Sequence, residues 1–120
     1  MKKILVVDDA PTVIKLVKFA LQDEFDVDSA SDGNEALQRI EQTSYDMGIF
    51  DINMPGMNGI ELTRKVKSMP DRADMKIVIL STESSDDMKA QGREAGALGW
   101  MVKPFREQDL RDLMGSVFGS

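Results

Sequence analysis

The sequence predicts an α/β fold in which five parallel strands alternate with five helices along a chain of 120 residues. Several short runs are continuously apolar instead of alternating, which is typical of strands buried on both faces. The segments between these runs carry apolar residues at helical spacing. Strict alternation of strands and helices favours right-handed β-α-β units, and hence a parallel sheet that helices cover on both faces.

The first half of the chain carries the signals of three strands and two helices. The strands are predicted at 3–7, 25–29 and 47–50. One helix is predicted over 10–22, and a second helix carries Ala36, Leu37 and Ile40. The second strand alternates between apolar and polar residues, which indicates an edge of the sheet. Pro11 suits the first turn of a helix, and Asn34 is predicted to cap the second helix.

The second half carries two more strands and three helices. The strands are predicted at 76–80 and 98–102, and the helices over 58–69, 84–96 and 107–118. The fourth helix has a thin apolar side and contains Gly92, and a glycine costs a helix interior about 1 kcal/mol relative to alanine. We therefore expect it to be the least stable helix, with Gly96 as its C-cap.

The composition is that of an ordinary globular domain and excludes several kinds of site. The chain is 42% hydrophobic and 30% charged, and it has no cysteine and no histidine. Thiolate metal sites and Ser-His or Cys-His nucleophile systems are therefore excluded. The net charge of −6 argues against binding to nucleic acid. No apolar stretch is long enough to span a bilayer, so a cytoplasmic protein without membrane association is expected.

Polar side chains suited to magnesium and phosphate chemistry follow four of the predicted strands. Asp8 and Asp9 follow the first strand, Asp51 the third, Ser81 the fourth and Lys103 the fifth. In an open parallel sheet, ligands bind beyond the carboxyl ends of the strands. Any one of these residues alone would be a solvent-facing strand end. If the four strands are neighbours, the five residues instead form one site.

The residue types in this candidate site predict its chemistry. Clustered carboxylates repel each other, which raises their pKa values until a cation binds. Mg²⁺ prefers an oxygen-only site of this kind, with Mn²⁺ as an alternative ion. Lys103 can pair with Asp51 or with a phosphoryl oxygen, and the Ser81 hydroxyl can donate a hydrogen bond. A carboxylate in such a place can act as a nucleophile and form an acyl phosphate.

In this order and spacing, the residues resemble a receiver domain of a two-component response regulator in its stand-alone, chemotaxis form. The resemblance covers essentially the whole chain. Its parts are Asp8-Asp9, Asp51 followed by Met54-Pro55-Gly56, Ser81, and Lys103-Pro104-Phe105. The resemblance implies a doubly wound, flavodoxin-like sheet with strand order 2-1-3-4-5, and one receiver domain over 1–120 with no output domain.

The resemblance also implies which residues accept the phosphoryl group and bind the metal. Asp51 would be the phosphoacceptor for a histidine of a sensor kinase or a phosphotransfer domain. The side chains of Asp9 and Asp51 and the backbone carbonyl of Asn53 would bind Mg²⁺, with Asp8 acting through water. The Lys103-Pro104 peptide bond would be cis.

Further roles implied by the resemblance concern the switch and the lifetime of the signal. Ser81 and Lys103 would contact the phosphoryl group, and Ser81 would also be the switch hydroxyl. Trp100 matches the aromatic residue that changes rotamer on phosphorylation, although the family more often carries Tyr or Phe there. The side chains of Asn53 and Glu83 would tune how quickly the acyl phosphate is hydrolysed.

The expected output is a protein-binding face formed by the fourth helix, the fifth strand and the fifth helix. A local charge event would bias this bistable region. Chemotaxis, with a flagellar motor switch component as the output partner, is the leading hypothesis. A phosphorelay shuttle or adaptor in another pathway is the alternative, a phosphatase is a further candidate partner, and a monomer is expected.

Three functions of other classes fit the sequence less well. An aspartyl-phosphate phosphatase needs a second acid two residues after the nucleophile, where this chain has Asn53. A nucleotide carrier would need a phosphate loop after the first strand, where Asp8 and Asp9 would repel phosphate. An interaction module without phosphorylation would have no use for the intact acidic, hydroxyl and lysine set. We therefore expect a signalling protein and not an enzyme.

Overall fold

The computed structural model describes residues 1–119, and within them five strands and five helices alternate as predicted. The strands are β1 (Lys2–Val7), β2 (Phe25–Ala30), β3 (Met47–Asp51), β4 (Lys76–Ser81) and β5 (Gly99–Val102). The helices are α1 (Pro11–Leu21), α2 (Gly33–Gln42), α3 (Gly59–Lys67), α4 (Asp86–Ala95) and α5 (Glu107–Phe118). The ends of the predicted elements agree with these bounds to within a few residues.

All five strands are parallel and lie in the order β2-β1-β3-β4-β5, which confirms the predicted topology. The chain moves outward from β1 to β2 and then returns to the other side of β1 as β3. The strand order therefore reverses between β1 and β3. In open α/β sheets the crevice at such a reversal, beyond the carboxyl ends of the strands, is where ligands bind.

The two faces of the sheet carry separate apolar cores. Leu5 and Val7 of β1 point into the core beneath α2, α3 and α4, while Ile4 and Val6 point into the core beneath α1 and α5. All four side chains are fully buried. This explains the continuous apolar run, because both sets of alternating positions face a helix layer.

The start of α2 differs from the prediction. Asp32, not Asn34, is the N-cap, and its side chain accepts a hydrogen bond from the Glu35 N–H at 2.8 Å. The Glu35 carboxylate in turn accepts from the N–H of Ser31. An acceptor followed three residues later by glutamate is the capping pattern, and it places the cap two residues before Asn34. The prediction of Asn34 as the cap was wrong.

The predicted C-cap of α4 is confirmed, since Gly96 ends this helix with a φ of 110°. In addition, Asn58 caps α3 in a reciprocal pair with Glu61. The Lys103-Pro104 peptide bond is cis, as the resemblance implied. Within residues 1–119, no helix combines the length and the apolar character that crossing a membrane requires.

Candidate functional site

The five predicted site residues lie at the carboxyl ends of adjacent strands. Asp51 and Ser81 are the last residues of β3 and β4, Asp8 and Asp9 follow β1, and Lys103 follows β5. Because β1, β3, β4 and β5 are neighbours in the sheet, their ends bring these side chains to one edge of the fold. The topological condition on which the candidate site depended is therefore met.

Three carboxylates form the acidic part of this site. One oxygen from each of Asp8, Asp9 and Asp51 lies within 4.8 Å of the others. Asp8 and Asp51 are buried, with 0% and 2% of their surface exposed, whereas Asp9 is exposed. The cluster thus has two carboxylates that the fold withdraws from water and one that remains accessible to it.

Lys103 bridges the two buried carboxylates. Its ammonium group donates to Asp8 Oδ2 at 2.8 Å and to Asp51 Oδ1 at 3.0 Å. Burial lowers the pKa of Lys103, but hydrogen bonds and charge from Asp8 and Asp51 outweigh burial and raise this pKa above its usual value. Lys103 therefore stays protonated and supplies the positive charge of the site.

Asp51 is the carboxylate whose ionised form is disfavoured. Burial raises the pKa of Asp51, the hydrogen bond from Lys103 lowers it, and the charge of Asp8 raises it again. The net result is a pKa above the usual aspartate value. This confirms the expected effect of clustering for Asp51, with burial as the largest cause, and it makes a bound cation favourable.

The hydrogen bonds of Asp8 distinguish it from the other two carboxylates. Asp8 Oδ1 accepts from the N–H of Ala10 at 2.9 Å, and Asp8 Oδ2 accepts from Lys103. Both oxygens are therefore engaged within the protein. The exposed carboxylate of Asp9 is better placed to contact an incoming ion directly.

A chain of hydrogen bonds connects Ser81 to Trp100 through the backbone of Glu83. The N–H of Glu83 donates to Ser81 Oγ at 2.9 Å. The carbonyl of Glu83 accepts from Trp100 Nε1 at 2.9 Å. From the sequence, only the side chain of Glu83 was expected to act, by tuning hydrolysis of the acyl phosphate together with Asn53. Both residues are exposed. No sequence signal indicated this main-chain role, because any residue type supplies the same backbone groups.

Two glycines contact the site and were not predicted to do so. A methyl group added at Gly59, the first residue of α3, would lie 2.5 Å from the carbonyl oxygen of Asp51. A methyl group added at Gly92, inside α4, would lie 3.1 Å from Cζ3 of the Trp100 ring. The glycine in α4, which looked only like a weakness of the helix, makes room for the indole.

Comparisons with known proteins agree on one family. Residues 4–114 match the family model described as response regulator receiver domain. The chemotaxis protein CheY of Pseudomonas aeruginosa is 33% identical over 118 residues, which cover 97% of this chain and 95% of that protein. Sequence similarity therefore extends over nearly the whole length of both proteins.

Solved structures give the same result. The structure of the chemotaxis protein CheY4 of Vibrio cholerae matches with a TM-score of 0.94 and 37% identity, and the match covers 98% of both chains. The response regulator protein TrrA of Thermotoga maritima, in complex with Mg²⁺-BeF, matches with a TM-score of 0.84 and 34% identity. That match covers 98% of this chain and 99% of the other. The acidic cluster is accordingly of the kind in which receivers bind magnesium.

Proposed function

The chain belongs to the response regulator receiver family, and from this premise we propose that Asp51 accepts a phosphoryl group from a histidine of a partner kinase or phosphotransfer domain. The observation that carries the proposal is the position of Asp51. It ends a central strand beside the reversal of strand order, in contact with Lys103 and close to two further carboxylates. This arrangement supplies both a nucleophile and the charges that phosphoryl transfer needs.

Among the three carboxylates, Asp51 is the best candidate for the nucleophile. Asp8 has both oxygens engaged, and Asp9 lies at the exposed rim. In the proposed step, an oxygen of Asp51 bonds to phosphorus while the bond from phosphorus to the donor histidine nitrogen breaks. The electron pair of that bond stays on the imidazole. Lys103 holds one Asp51 oxygen in place and offers positive charge to the transferred group.

The donor set fits Mg²⁺, with Mn²⁺ as the alternative ion. All three charged groups in the cluster are carboxylates, which are the oxygen ligands that hard cations prefer. We propose that Asp9, Asp51 and the Asn53 carbonyl hold the ion and that Asp8 acts through water. When bound, the ion would neutralise charge on the phosphoryl oxygens. The Mg²⁺-BeF complex of TrrA supports magnesium as the ion.

The remaining residues would control the output and its lifetime. Ser81 would donate a hydrogen bond from its hydroxyl to a phosphoryl oxygen and would in this way act as the switch hydroxyl. Trp100 would couple this movement of Ser81 to the face formed by α4, β5 and α5. The exposed side chains of Asn53 and Glu83 would tune hydrolysis of the acyl phosphate. On this proposal the chain acts as a signalling protein and does not turn over external substrates.

For the pathway, we propose chemotaxis with a flagellar motor switch component as output partner. The support is that relatives named chemotaxis proteins match this chain over nearly their full length. On this proposal residues 1–120 act as a cytoplasmic receiver domain and as a monomer. A phosphorelay shuttle or adaptor in another pathway would use the same site, and a phosphatase is a further candidate partner.

The decisive experiment measures intact mass after incubation with acetyl phosphate, with Mg²⁺ and with EDTA instead. We expect one phosphoryl adduct in wild type that requires Mg²⁺ and is labile to hydroxylamine. Asp51→Ala should form no adduct. Asp26→Ala, which removes an exposed carboxylate from β2, is the matched control and should react like wild type. Wild type that remains unmodified by both acetyl phosphate and a histidine kinase would contradict the proposal.

The pathway is tested separately by complementation. A motile bacterium that lacks its own chemotaxis receiver should recover directional changes in swimming when it produces this protein, and Asp51→Ala should not restore them. Phosphorylation in vitro without any effect on swimming would favour the shuttle or adaptor.

A further inference from the structure

A cavity of about 290 Å³ lies between the C-terminal ends of α1 and α5, beside the start of β2. Its apolar lining includes Leu21, Phe25, Met114 and Phe118. The rings of Phe25 and Phe118 have their centroids 5.8 Å apart and their planes inclined by 33°. The cavity therefore presents aromatic surface to a group that enters it.

The rim of this cavity is acidic. Asp23 and Glu24 line it and are exposed, and within residues 1–119 neither carboxylate belongs to an ion pair. Arg111 also lines the cavity, but its guanidinium group already pairs with Glu107 at 3.2 Å. The charge that the rim offers to a ligand is therefore negative.

Two helix ends add to this negative potential. The last carbonyl groups of a helix carry partial negative charge, which favours a nearby cation. α1 ends at Leu21 and α5 at Phe118, and the last turn of α5 contains no basic residue. The Lys2 ammonium lies 5.1 Å from the centroid of the Phe118 ring, although Lys2 lies outside the lining of the cavity. This contact shows that the ring attracts a cation.

From these observations we propose that the cavity is a docking pocket for an arginine side chain of a basic partner protein. The planar guanidinium group of arginine stacks on aromatic rings and donates to carboxylates, so it fits both the rings and the rim. Pockets for drug-sized ligands measure roughly 300–1,000 Å³. The cavity lies at the lower end of this range, which suits one side chain better.

The surroundings of the cavity favour a protein partner over a small amine. Phe19, in the last turn of α1, immediately precedes the lining residues and is 62% exposed. Aromatic residues are enriched in protein interfaces, and residues that flank the docked arginine would cover this ring. A second copy of the chain is a poorer occupant, because each copy carries a net charge of −6 and the copies repel each other.

The cavity and the phosphorylation site lie at opposite ends of the sheet. Phe25 pairs with Lys2 at the start of β1, whereas Asp8 follows the end of β1. The length of β1 separates the two ends by about 20 Å. A partner docked at the cavity therefore leaves the site around Asp51 accessible to a phosphoryl donor. The docking pocket goes beyond the proposed function and does not depend on it.

The test uses N-acetyl-arginine methylamide, here called capped arginine, as the probe in an NMR titration of the isotope-labelled protein. We expect saturable shifts of the backbone amides in 20–25 and 114–119, with millimolar affinity, because a single side chain offsets little of the cost of association. The matched citrulline derivative has nearly the same shape without the charge and should bind about fivefold more weakly. Absence of saturable shifts, or equal binding of the citrulline derivative, would overturn the proposal.

Variants of the rim locate the charge that binds the probe. Asp23→Asn and Glu24→Gln should each weaken binding of capped arginine about threefold, because each removes one carboxylate of the rim. Glu41→Gln is the matched control, since it removes the same charge from an exposed position on α2, and it should bind like wild type. Equal weakening in all three variants would show general attraction between charges and would overturn the pocket.

Two further outcomes would identify other occupants. If the same amides shift when the protein is concentrated without the probe, a second copy is the occupant and the proposal is wrong. If the matched lysine derivative binds as tightly as capped arginine, the assignment to arginine is wrong.

The separation from the phosphorylation site is tested with acetyl phosphate and Mg²⁺. Saturating capped arginine should leave the rate of adduct formation unchanged, and a slower rate would overturn the separation. Failure to form the adduct with or without the probe would contradict only the proposed function.

Discussion

Helices α3 and α4 both follow strands that end in the candidate site, and both pack on the same face of the sheet, yet they are anchored differently. Five of the nine residues of α3 are buried, against two of the ten in α4. The N-terminus of α3 lies against the main chain of Asp51 through Gly59, whereas α4 meets a side chain, that of Trp100, through Gly92.

This difference divides the site into a fixed half and an adaptable half. The fixed half is the end of β3 with α3, where backbone lies against backbone and neither can yield without moving Asp51. The adaptable half is the β4–α4 loop with α4, where an exposed loop and an aromatic ring make the contacts. Elements that move in regulation are drawn from regions with few buried contacts, and α4 meets this description.

The largest expected effect comes from adding one methyl group to the fixed half. Gly59→Ala would place a carbon 2.5 Å from the Asp51 carbonyl oxygen, so the main chain at Asp51 has to shift. We expect a loss of about 3 kcal/mol in the free energy of unfolding, as for other overpacked sites. Phosphorylation from acetyl phosphate should slow at least tenfold. Urea denaturation and intact mass measure the two effects.

The same substitution in the adaptable half is the matched control for this prediction. In Gly92→Ala the added methyl meets a ring that can shift, and alanine also favours the helix by about 1 kcal/mol. The free energy of unfolding should therefore stay within about 1 kcal/mol of wild type. If the two variants were equally stable, the division of the site would be wrong.

Removing the positive charge of Lys103, which follows β5 and contacts Asp51 at the end of the fixed half, should have the next largest effect. Lys103→Met leaves Asp8 and Asp51 buried without their cation, which should cost about 2 kcal/mol at neutral pH, less than for a fully enclosed pair. The loss should diminish as the pH falls and Asp51 takes up a proton. A loss of equal size at pH 4 and pH 7 would contradict an electrostatic cause. Urea titrations across this range provide the test.

Neutralising Asp51 should change the free energy of unfolding in the opposite direction, towards greater stability. Because the folded state raises the pKa of Asp51 above its usual value of 3.8, ionisation of Asp51 opposes folding as the pH rises through the folded-state pKa. Asp51→Asn should therefore be more stable than wild type at neutral pH, and the difference should vanish below pH 3.8. The change should be smaller than that of Lys103→Met, because asparagine can still accept from Lys103. Equal stability of the two proteins at every pH would contradict this prediction.

The smallest effects on stability should come from removing the helix caps. The region in which each effect appears should distinguish α3 from α4. Asn58→Ala and Ser85→Ala each remove a side-chain oxygen that accepts an N–H in the first turn, of α3 and α4 respectively. Each should cost about 1 kcal/mol. For Asn58→Ala we expect the cost in global unfolding. For Ser85→Ala we expect it as faster amide exchange confined to α4, and a spread beyond α4 would argue against local opening.

Much of the fold could be predicted because burial leaves a direct trace in the sequence. Within β1, β3 and β4, the runs 4–7, 47–50 and 77–80 contain no polar or charged side chain, and only strands covered on both faces require this. The polar residues at their ends stood out against these runs. The order of the strands does not follow from the runs themselves and was predicted from the resemblance to receivers, which the sheet confirms.

What could not be predicted depends on distances between residues far apart in the chain. The contact of Gly59 with the Asp51 carbonyl forms only when α3 packs against the end of β3. The contact of Gly92 with the Trp100 ring forms only when β5 lies beside α4. The link through Glu83 uses backbone atoms and leaves no trace in residue identity. The cap of α2 was missed for a local reason, since Asp32 and Asn34 are both good capping residues and the pairing with Glu35 decides between them.

The bridge from Lys103 to Asp8 and Asp51 also determines the charge balance of the site. Counted at their formal charges, the three carboxylates and the ammonium group sum to −2, which one divalent cation cancels and one monovalent cation does not. A phosphoryl group on Asp51 would replace a single negative charge by two. With the cation still bound, the site would then carry one uncompensated negative charge in a partly buried setting. Electroneutrality would thus hold before phosphorylation and fail after it, which would provide a driving force for neighbouring N–H and O–H donors to turn inward.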